Sequence, residues 1–278
     1  MPFSPPEGHN FKMPQRELFH LIEPQRPCSY LPDQRAALEY RGYAGLEPAE
    51  LEQLLSRGWR RFGVQLFRPA CRHCEQCLPI RIDVEQFQPN KTQRRIRSRN
   101  SHISVELAKP TLSSTHLELY NAWHADMESR KDWPGQTATF HSYAQSFLEG
   151  RFASAHELRY WDGDELIGVG LIDILPLSLS SIYFYHAPRW RALSPGTFSL
   201  LCEIDLARQL GRAYVYLGYW ISACPSMAYK NRFHPYEILQ QRPTDGELPV
   251  WRREDELQET PAEGDRSPQN PDITDPLT

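Results

Sequence analysis

Cys71, Cys74 and Cys77 stand three residues apart, a spacing that lets thiolates reach one metal ion or one iron–sulfur cluster. A fourth ligand has to come from elsewhere. Cys28, in the Cys-Ser-Tyr-Leu-Pro stretch at 28–32, is the first candidate, and His73 is the reserve. The structural alternative is a loop packed on buried free thiols. A second set of chemical groups, Tyr229, Lys230, Asn231 and Arg232, follows an apolar β-prone run at 213–220 and a break at Pro225. Aromatics and cations gathered after a strand suit a nucleotide end or a small charged group; a surface loop after a buried strand is the plainer alternative. Asp173 is a lone acid in the apolar run 170–176, and a lone buried carboxylate is costly unless paired or used. Ser194-Pro195-Gly196-Thr197 opens a helix whose free N–H groups can take an anion, with an ordinary capped helix as the alternative.

Charge is distributed unevenly. The 278-residue chain carries −4 overall. Residues 57–99 hold eleven Lys or Arg against Glu75, Asp83 and Glu85, a net of +8 that leaves −12 elsewhere. Lys91, Arg94, Arg95 and Arg97 lie together at its end, and Trp59, Phe62, Phe67 and Phe87 are interspersed. Such a field attracts nucleic acid; a solvated cationic face is the alternative. Taken with the cysteines alone, this window reads as a noncatalytic RNA- or metal-binding module. The chain has no apolar run of 18 residues, so no membrane helix is expected. Its first residues lack the basic-then-apolar order of a signal peptide. Cysteines in a chain of this kind point to a reducing cytoplasm.

The elements that hold these residues can be placed by pattern. Residues 1–26 are Pro-rich and read as a flexible arm. A helix is expected over 48–58, with Pro48 in its first turn and Gly58 as its stop. Strands are expected at 63–69 and 78–84. Lys109-Pro110 reads as a linker, dividing an N-terminal region (27–108) from a C-terminal one (112–251). Helices are expected over 113–130 and 140–150. Strands follow at 155–161 and 166–175, joined across Asp162-Gly163-Asp164, a hairpin signal, and at 181–186. Ser194 as N-cap, Pro195 at the first helical position and Gly211 just past the end bracket a helix, and a strand over 213–220 comes next. Residues 254–278 are acidic, Pro-rich and expected to be disordered. The class is α+β.

Several of these stretches resemble one family, the aminoacyl-tRNA–protein transferases, in their bacterial form. Cys-Pro-Ser-Met-Ala-Tyr-Lys at 224–230 matches the family's Cys-Pro-x-Met-x-Tyr-Lys position by position. Residues 28–32 and 68–81 match its Cys-x-Tyr-Leu-Pro and Arg-Pro-x-Cys-x2-Cys-x2-Cys-x-Pro-x-Arg segments. Gly58-Trp-Arg-Arg-Phe-Gly63 resembles Gly-Phe-Arg-Arg-Ser-Gly, and Thr92-Gln93-Arg94-Arg95 resembles Ser-Gln-Arg-Arg. Asp173 falls in an Asp-Val-Leu-Pro-like segment. Ala187 stands where many members have Asp, so that carboxylate does not transfer. The likeness spans about residues 28–239.

The resemblance implies a GNAT-like acyltransferase core in the second half, for which three antiparallel strands, a helix and a strand are the expected order. The helix opening has one glycine where CoA-using enzymes have a Gly-rich loop, so CoA is not expected. The implied reaction moves leucine from leucyl-tRNA to proteins beginning with Asp or Glu, marking them for degradation, with an arginyl donor as the runner-up. Under this reading Asp173 orients or deprotonates the acceptor amine, with Tyr183 the weaker candidate. Arg60, Arg61, Tyr219, Met227, Tyr229 and Lys230 meet the substrates, and Lys230 leads as the reader of the acceptor's acidic side chain. Lys91, Arg94, Arg95 and Arg97 hold tRNA phosphates. Transfer itself requires no cofactor, and the four cysteines are expected to hold zinc or an iron–sulfur cluster. Eukaryotic relatives have Cys-Gly-Tyr-Cys where this chain has Cys-Ser-Tyr-Leu at 28–31.

Overall fold

The computed structural model describes residues 17–131, 135 and 137–258. Most of the first 26 residues and of the tail past Gln258 lie outside them. Within them, the expected arm ends in a strand, Glu17–Ile22, and the expected tail begins with a short helix, Glu254–Gln258.

An eight-stranded sheet organises the molecule. Its order is Val250–Arg253, Tyr236–Gln240, Leu78–Asp83, Tyr214–Trp220, Ser178–His186, Glu165–Ile174, Ala155–Asp162, Ile103–Ala108. Every neighbouring pair is antiparallel except Ser178–His186 with Tyr214–Trp220. Two strands of the expected N-terminal region (27–108), Leu78–Asp83 and Ile103–Ala108, therefore belong to a sheet built mainly by the second half. Lys109-Pro110 joins one of them to the next helix and does not separate two cores: Ile80, Ile82, Phe87 and Ile103 pack in the same cluster as Val169, Leu201 and Val215.

The helix α1 (Pro48–Ser56) begins with Pro48 at its first position and a reciprocal cap between Glu47 and Glu50. It ends at Gly58, whose φ of 85° is open to glycine and strained for other residues. Leu51, Leu54 and Leu55 point from it into a second core with Tyr43, Trp59 and Leu66. A four-stranded antiparallel sheet, in the order Glu17–Ile22, Leu38–Tyr43, Gln65–Pro69, Arg60–Phe62, covers this core. Its short last strand lies against Ser178–His186.

Helix α2 (Lys91–Arg99) carries the basic run, which the sequence showed only as charge. Asn90 Oδ1 accepts from the Gln93 N–H, and Gln93 Oε1 accepts from the Asn90 N–H. Helices α3 (Ser114–Lys131) and α4 (Phe140–Phe147) follow. Helix α5 (Pro195–Gln209) runs between the two parallel strands in sequence. Ser194 precedes it in the left-handed region, φ 59°, and its side chain makes no capping bond, contrary to expectation. No described helix is long and apolar enough to cross a membrane.

Candidate active site

The two parallel strands are in register for only three residue pairs, Ser178–Tyr214, Leu179–Val215 and Ser180–Tyr216. Both run on, to His186 and Trp220, without pairing. Each carries a register slip just past that point: Ile182 is the extra residue against Glu165–Ile174, and Leu217 the extra residue against Leu78–Asp83. Bulges bend and twist a strand, so the pair parts here. The parting leaves carbonyls without ladder partners, and buried carbonyls need donors.

Arg60 supplies them. Its Nη2 donates to Ser181 O at 2.8 Å and to Ile182 O at 3.1 Å. On the other side Gly218, φ 78°, leaves room for it; a Cβ there would overlap Arg60 Nη1. Among the described residues no carboxylate lies within 4 Å of Arg60. Burial pulls its guanidinium down, opposed by Tyr219, Tyr30, Tyr229 and Glu203 nearby.

Lys230 is buried beside it and donates from Nζ to Tyr219 O at 2.8 Å. Burial, then the Arg60 charge, holds its ammonium down to about 7. The chain reaches this position through a turn, Pro225–Ala228 followed by Tyr229–Arg232, in which Met227 is half-buried. Tyr219 anchors the strand end by donating to Gly58 O (2.9 Å) and Phe67 O (3.1 Å), which binds the two sheets together. Half-buried Tyr229 is pushed up to about 12 by burial and by Glu203. Arg60, Tyr219, Tyr229 and Lys230 thus lie together.

Four other expectations need correction. Asp173 is fully buried and closed on Arg61: Arg61 Nε and Nη2 donate to its two oxygens at 2.9 and 2.8 Å, and Ser154 Oγ donates at 2.9 Å. Neither residue is free to meet substrate, so Asp173 is not available as the base and Arg61 is not available as an acceptor-reading cation. Tyr183 sits among Phe62, Tyr120, Trp123 and Phe147, with its hydroxyl 3.1 Å from His124 Nε2. Burial drives its hydroxyl far above the usual phenol value, which removes it as a base. Arg97 is paired with Asp205 at 2.8 Å. Lys91, Arg94 and Arg95, at helical i, i+3 and i+4, are exposed on one side of α2. Gln93 is buried behind them and donates from Nε2 to Arg232 O at 3.1 Å, tying the basic helix to the turn that carries Lys230.

Sequence reasoning missed Glu203. It lies on the buried side of α5 with Phe198, Leu201, Ile204 and Ala207. A charged residue on the apolar face of a helix was the available signal. Its Oε1 accepts from Ser181 Oγ and Ser199 Oγ, both at 3.3 Å, and Ser199 Oγ in turn accepts from Tyr160 OH at 2.9 Å. Its Oε2 is buried with no partner among the described residues. Burial pushes the carboxyl up to about 7, against the two serines and Arg60.

The cysteines share a neighbourhood next to this site. Burial, then Cys71, Cys28 and Cys74, pushes the Cys77 thiol up to about 12. Arg242 donates to Cys71 O (3.2 Å) and Cys74 O (2.8 Å), and fixes that loop. Tyr30, on the loop after Cys28, is raised by burial and by Cys77 and lowered by Arg60. As they stand, no three Cys, His, Asp or Glu among the described residues are gathered tightly enough to hold one metal ion. The chemistry of four crowded thiols still suits a soft cation, which would relieve their mutual repulsion.

The profile of the arginine-tRNA-protein transferase N terminus matches residues 26–95, and that of the C terminus matches residues 115–240. An aspartate/glutamate leucyltransferase of Helicobacter hepaticus is 34% identical over 234 residues, 84% of this chain and 97% of its own. One of Campylobacter jejuni is 39% identical over 214 residues, 77% and 89% of the two chains. The solved structure of L-PGS from Bacillus licheniformis is alike only loosely, at TM-score 0.37 and 13% identity over 68% of this chain and 71% of that one. With both halves matched in order and relatives similar over most of their length, the chain belongs to the arginine-tRNA-protein transferase family.

Proposed function

We propose that this chain transfers leucine from leucyl-tRNA to the N-terminal Asp or Glu of acceptor proteins, as its relatives are named for. The observation that carries the reading is Arg60, a guanidinium enclosed where two strands part, beside Lys230 and without a carboxylate. Two buried cations with no carboxylate in contact are costly, and Glu203, the acid nearby, is pushed toward its neutral form by burial. The acceptor's acidic side chain supplies the missing anion.

The aminoacyl ester is already activated. The acceptor's α-amine nitrogen attacks the ester carbonyl carbon, the new C–N bond forms, and the C–O bond to the ribose breaks. The ribose oxygen leaves as a hydroxyl, taking one proton. An α-amine of pKa about 7.7–8.0 is about one-tenth neutral at pH 7, so the enzyme's main contribution is positioning. Lys91, Arg94 and Arg95 are placed to take tRNA phosphates. Supporting the reading, antiparallel strands, a helix and a parallel strand that diverges form an order suited to a GNAT-type acyltransferase. No CoA enters the step. The added leucine marks the target for N-terminus-dependent degradation in the cytoplasm, where charged tRNA is found.

Cys28, Cys71, Cys74 and Cys77 would hold zinc or an iron–sulfur cluster that fastens two loops beside the site and takes no part in transfer. Metal analysis of the purified protein before and after Cys74→Ser tests this, and equal metal content in both would rule it out.

Incubation with a mixed pool of charged tRNAs and with peptides beginning with Asp, Glu, Arg or Leu, followed by mass spectrometry, tests the function. Leucine on the Asp and Glu peptides is expected. Arginine on the same peptides would assign the donor for which the family profile is named. A chain that adds nothing would be a noncatalytic RNA-binding protein.

A further inference from the structure

We infer that Glu203 is the carboxylate that takes the proton released by the acceptor's α-amine. The inference rests on the aminoacyl-transfer reading and adds the residue that handles the proton, a role from which Asp173 is excluded by its closure on Arg61.

Glu203 is 1% exposed. One oxygen is held by two serine hydroxyls and the other has no partner among the described residues. Buried polar atoms are nearly always satisfied, so an orphaned one asks for an explanation. Two features make the orphan functional. The serines fix the carboxyl's orientation, and the Tyr160–Ser199 bond behind them fixes Ser199. The groups that reach Glu203 are Arg60 from the four-stranded sheet, Tyr229 from the turn, Tyr160 from Ala155–Asp162 and Cys202 on its own helix. Arg60 and Tyr229 are the residues already assigned to the site. Ser181 ties Glu203 to the site directly: its hydroxyl donates to the carboxylate and its carbonyl accepts from Arg60.

The step balances. As the C–N bond forms, the nitrogen becomes cationic and gives one proton to ionised Glu203. As the C–O bond breaks, Glu203 returns that proton to the ribose oxygen. The products are the new amide and uncharged tRNA, with Glu203 ionised again. A carboxyl near 7 suits this exchange, because a general base works best when its pKa is close to the operating pH.

The experiment is the pH dependence of kcat/KM for transfer to an Asp-initiated peptide, in wild type and Glu203→Gln, with circular dichroism melting as the check on folding. Wild type should rise with slope 2 below about 7, where both the amine and Glu203 must lose a proton, and should level off above it, where loss of the Lys230 charge offsets the neutralising amine. Glu203→Gln should be about 100-fold slower at pH 7, in line with general-base catalysis, and should rise with slope 1 below about 7. Lys230 titrates in both proteins, so the difference between the profiles isolates Glu203. If Glu203→Gln does not fold, Ser199→Ala gives the same answer: losing a donor to the carboxylate should move the first break to higher pH. Parallel profiles in a folded Glu203→Gln protein, or an unmoved break in Ser199→Ala, overturn the inference while leaving the transfer reading intact. A wild-type protein that transfers from no aminoacyl-tRNA overturns both.

Discussion

Gly218 and Arg60 occupy complementary space: the missing side chain of one is where the guanidinium of the other lies. Arg60 bonds two carbonyls freed by the parting of the strands, and Gly218 lines the opposite wall. An alanine at Gly218 would displace Arg60 and take up a backbone conformation that costs an ordinary residue about 1–2 kcal/mol. Gly218→Ala should lose that much stability in denaturant melts and lose at least about tenfold in transfer rate. Normal transfer by a folded Gly218→Ala would separate Arg60 from the site.

Asp173 should prove structural. Removing one partner of a buried ion pair typically costs about 3–5 kcal/mol, so Asp173→Asn should be destabilised by about that much. The fraction still folded should retain transfer. A variant of full stability without activity would restore Asp173 as the base.

Lys230 should read the acceptor's charge together with Arg60. A charge-assisted pair is worth about 1.5–3 kcal/mol, or roughly 10- to 150-fold. Lys230→Met should therefore erode the preference for Asp over Asn acceptors by that factor. In the free enzyme the ammonium is present below about 7 and lost above it, so the preference should fade as pH rises through that value. The folded state binds fewer protons than the unfolded chain between about 7 and 10.4, so wild-type stability should rise with pH across that window. The Met variant should lack that slope. Equal loss for every acceptor together with weaker tRNA binding would assign Lys230 to a phosphate instead.

Charge reversal of Arg94 and Arg95 should weaken tRNA binding irrespective of sequence and flatten its salt dependence. Each lost phosphate contact lowers the slope by about 0.7–0.9. An unchanged slope in the double variant would show that this side of α2 is merely solvated.

The sequence revealed what depends on local pattern. The hairpin across Asp162-Gly163-Asp164, helix α1 with Pro48 and Gly58, and the order of strand, α5 and strand follow from turn, cap and period signals. Pairing between distant segments was not visible: Leu78–Asp83 lies beside Tyr214–Trp220, and nothing near either strand announces the other. Asp173 shows the consequence for the site. A lone acid in an apolar strand resembles a functional residue until Arg61, 112 positions away, closes on it. Glu203 shows the reverse. Glutamate is ordinary in a helix, and only the fold shows that it is buried with one oxygen lacking a partner among the described residues. In α2, five basic residues in nine hid the helix, although Asn90 and Gln93 carried its capping signal.

The most direct test is transfer by wild type and Arg60→Met, each given leucyl-tRNA and matched Asp- and Asn-initiated peptides, with products identified by mass spectrometry. Wild type should add one leucine to the Asp peptide and far less to the Asn peptide. Arg60→Met should keep its fold by circular dichroism and lose most transfer to Asp. Absence of leucine on the Asp peptide with wild type, or wild-type rates and preference in Arg60→Met, would contradict the assignment of this site.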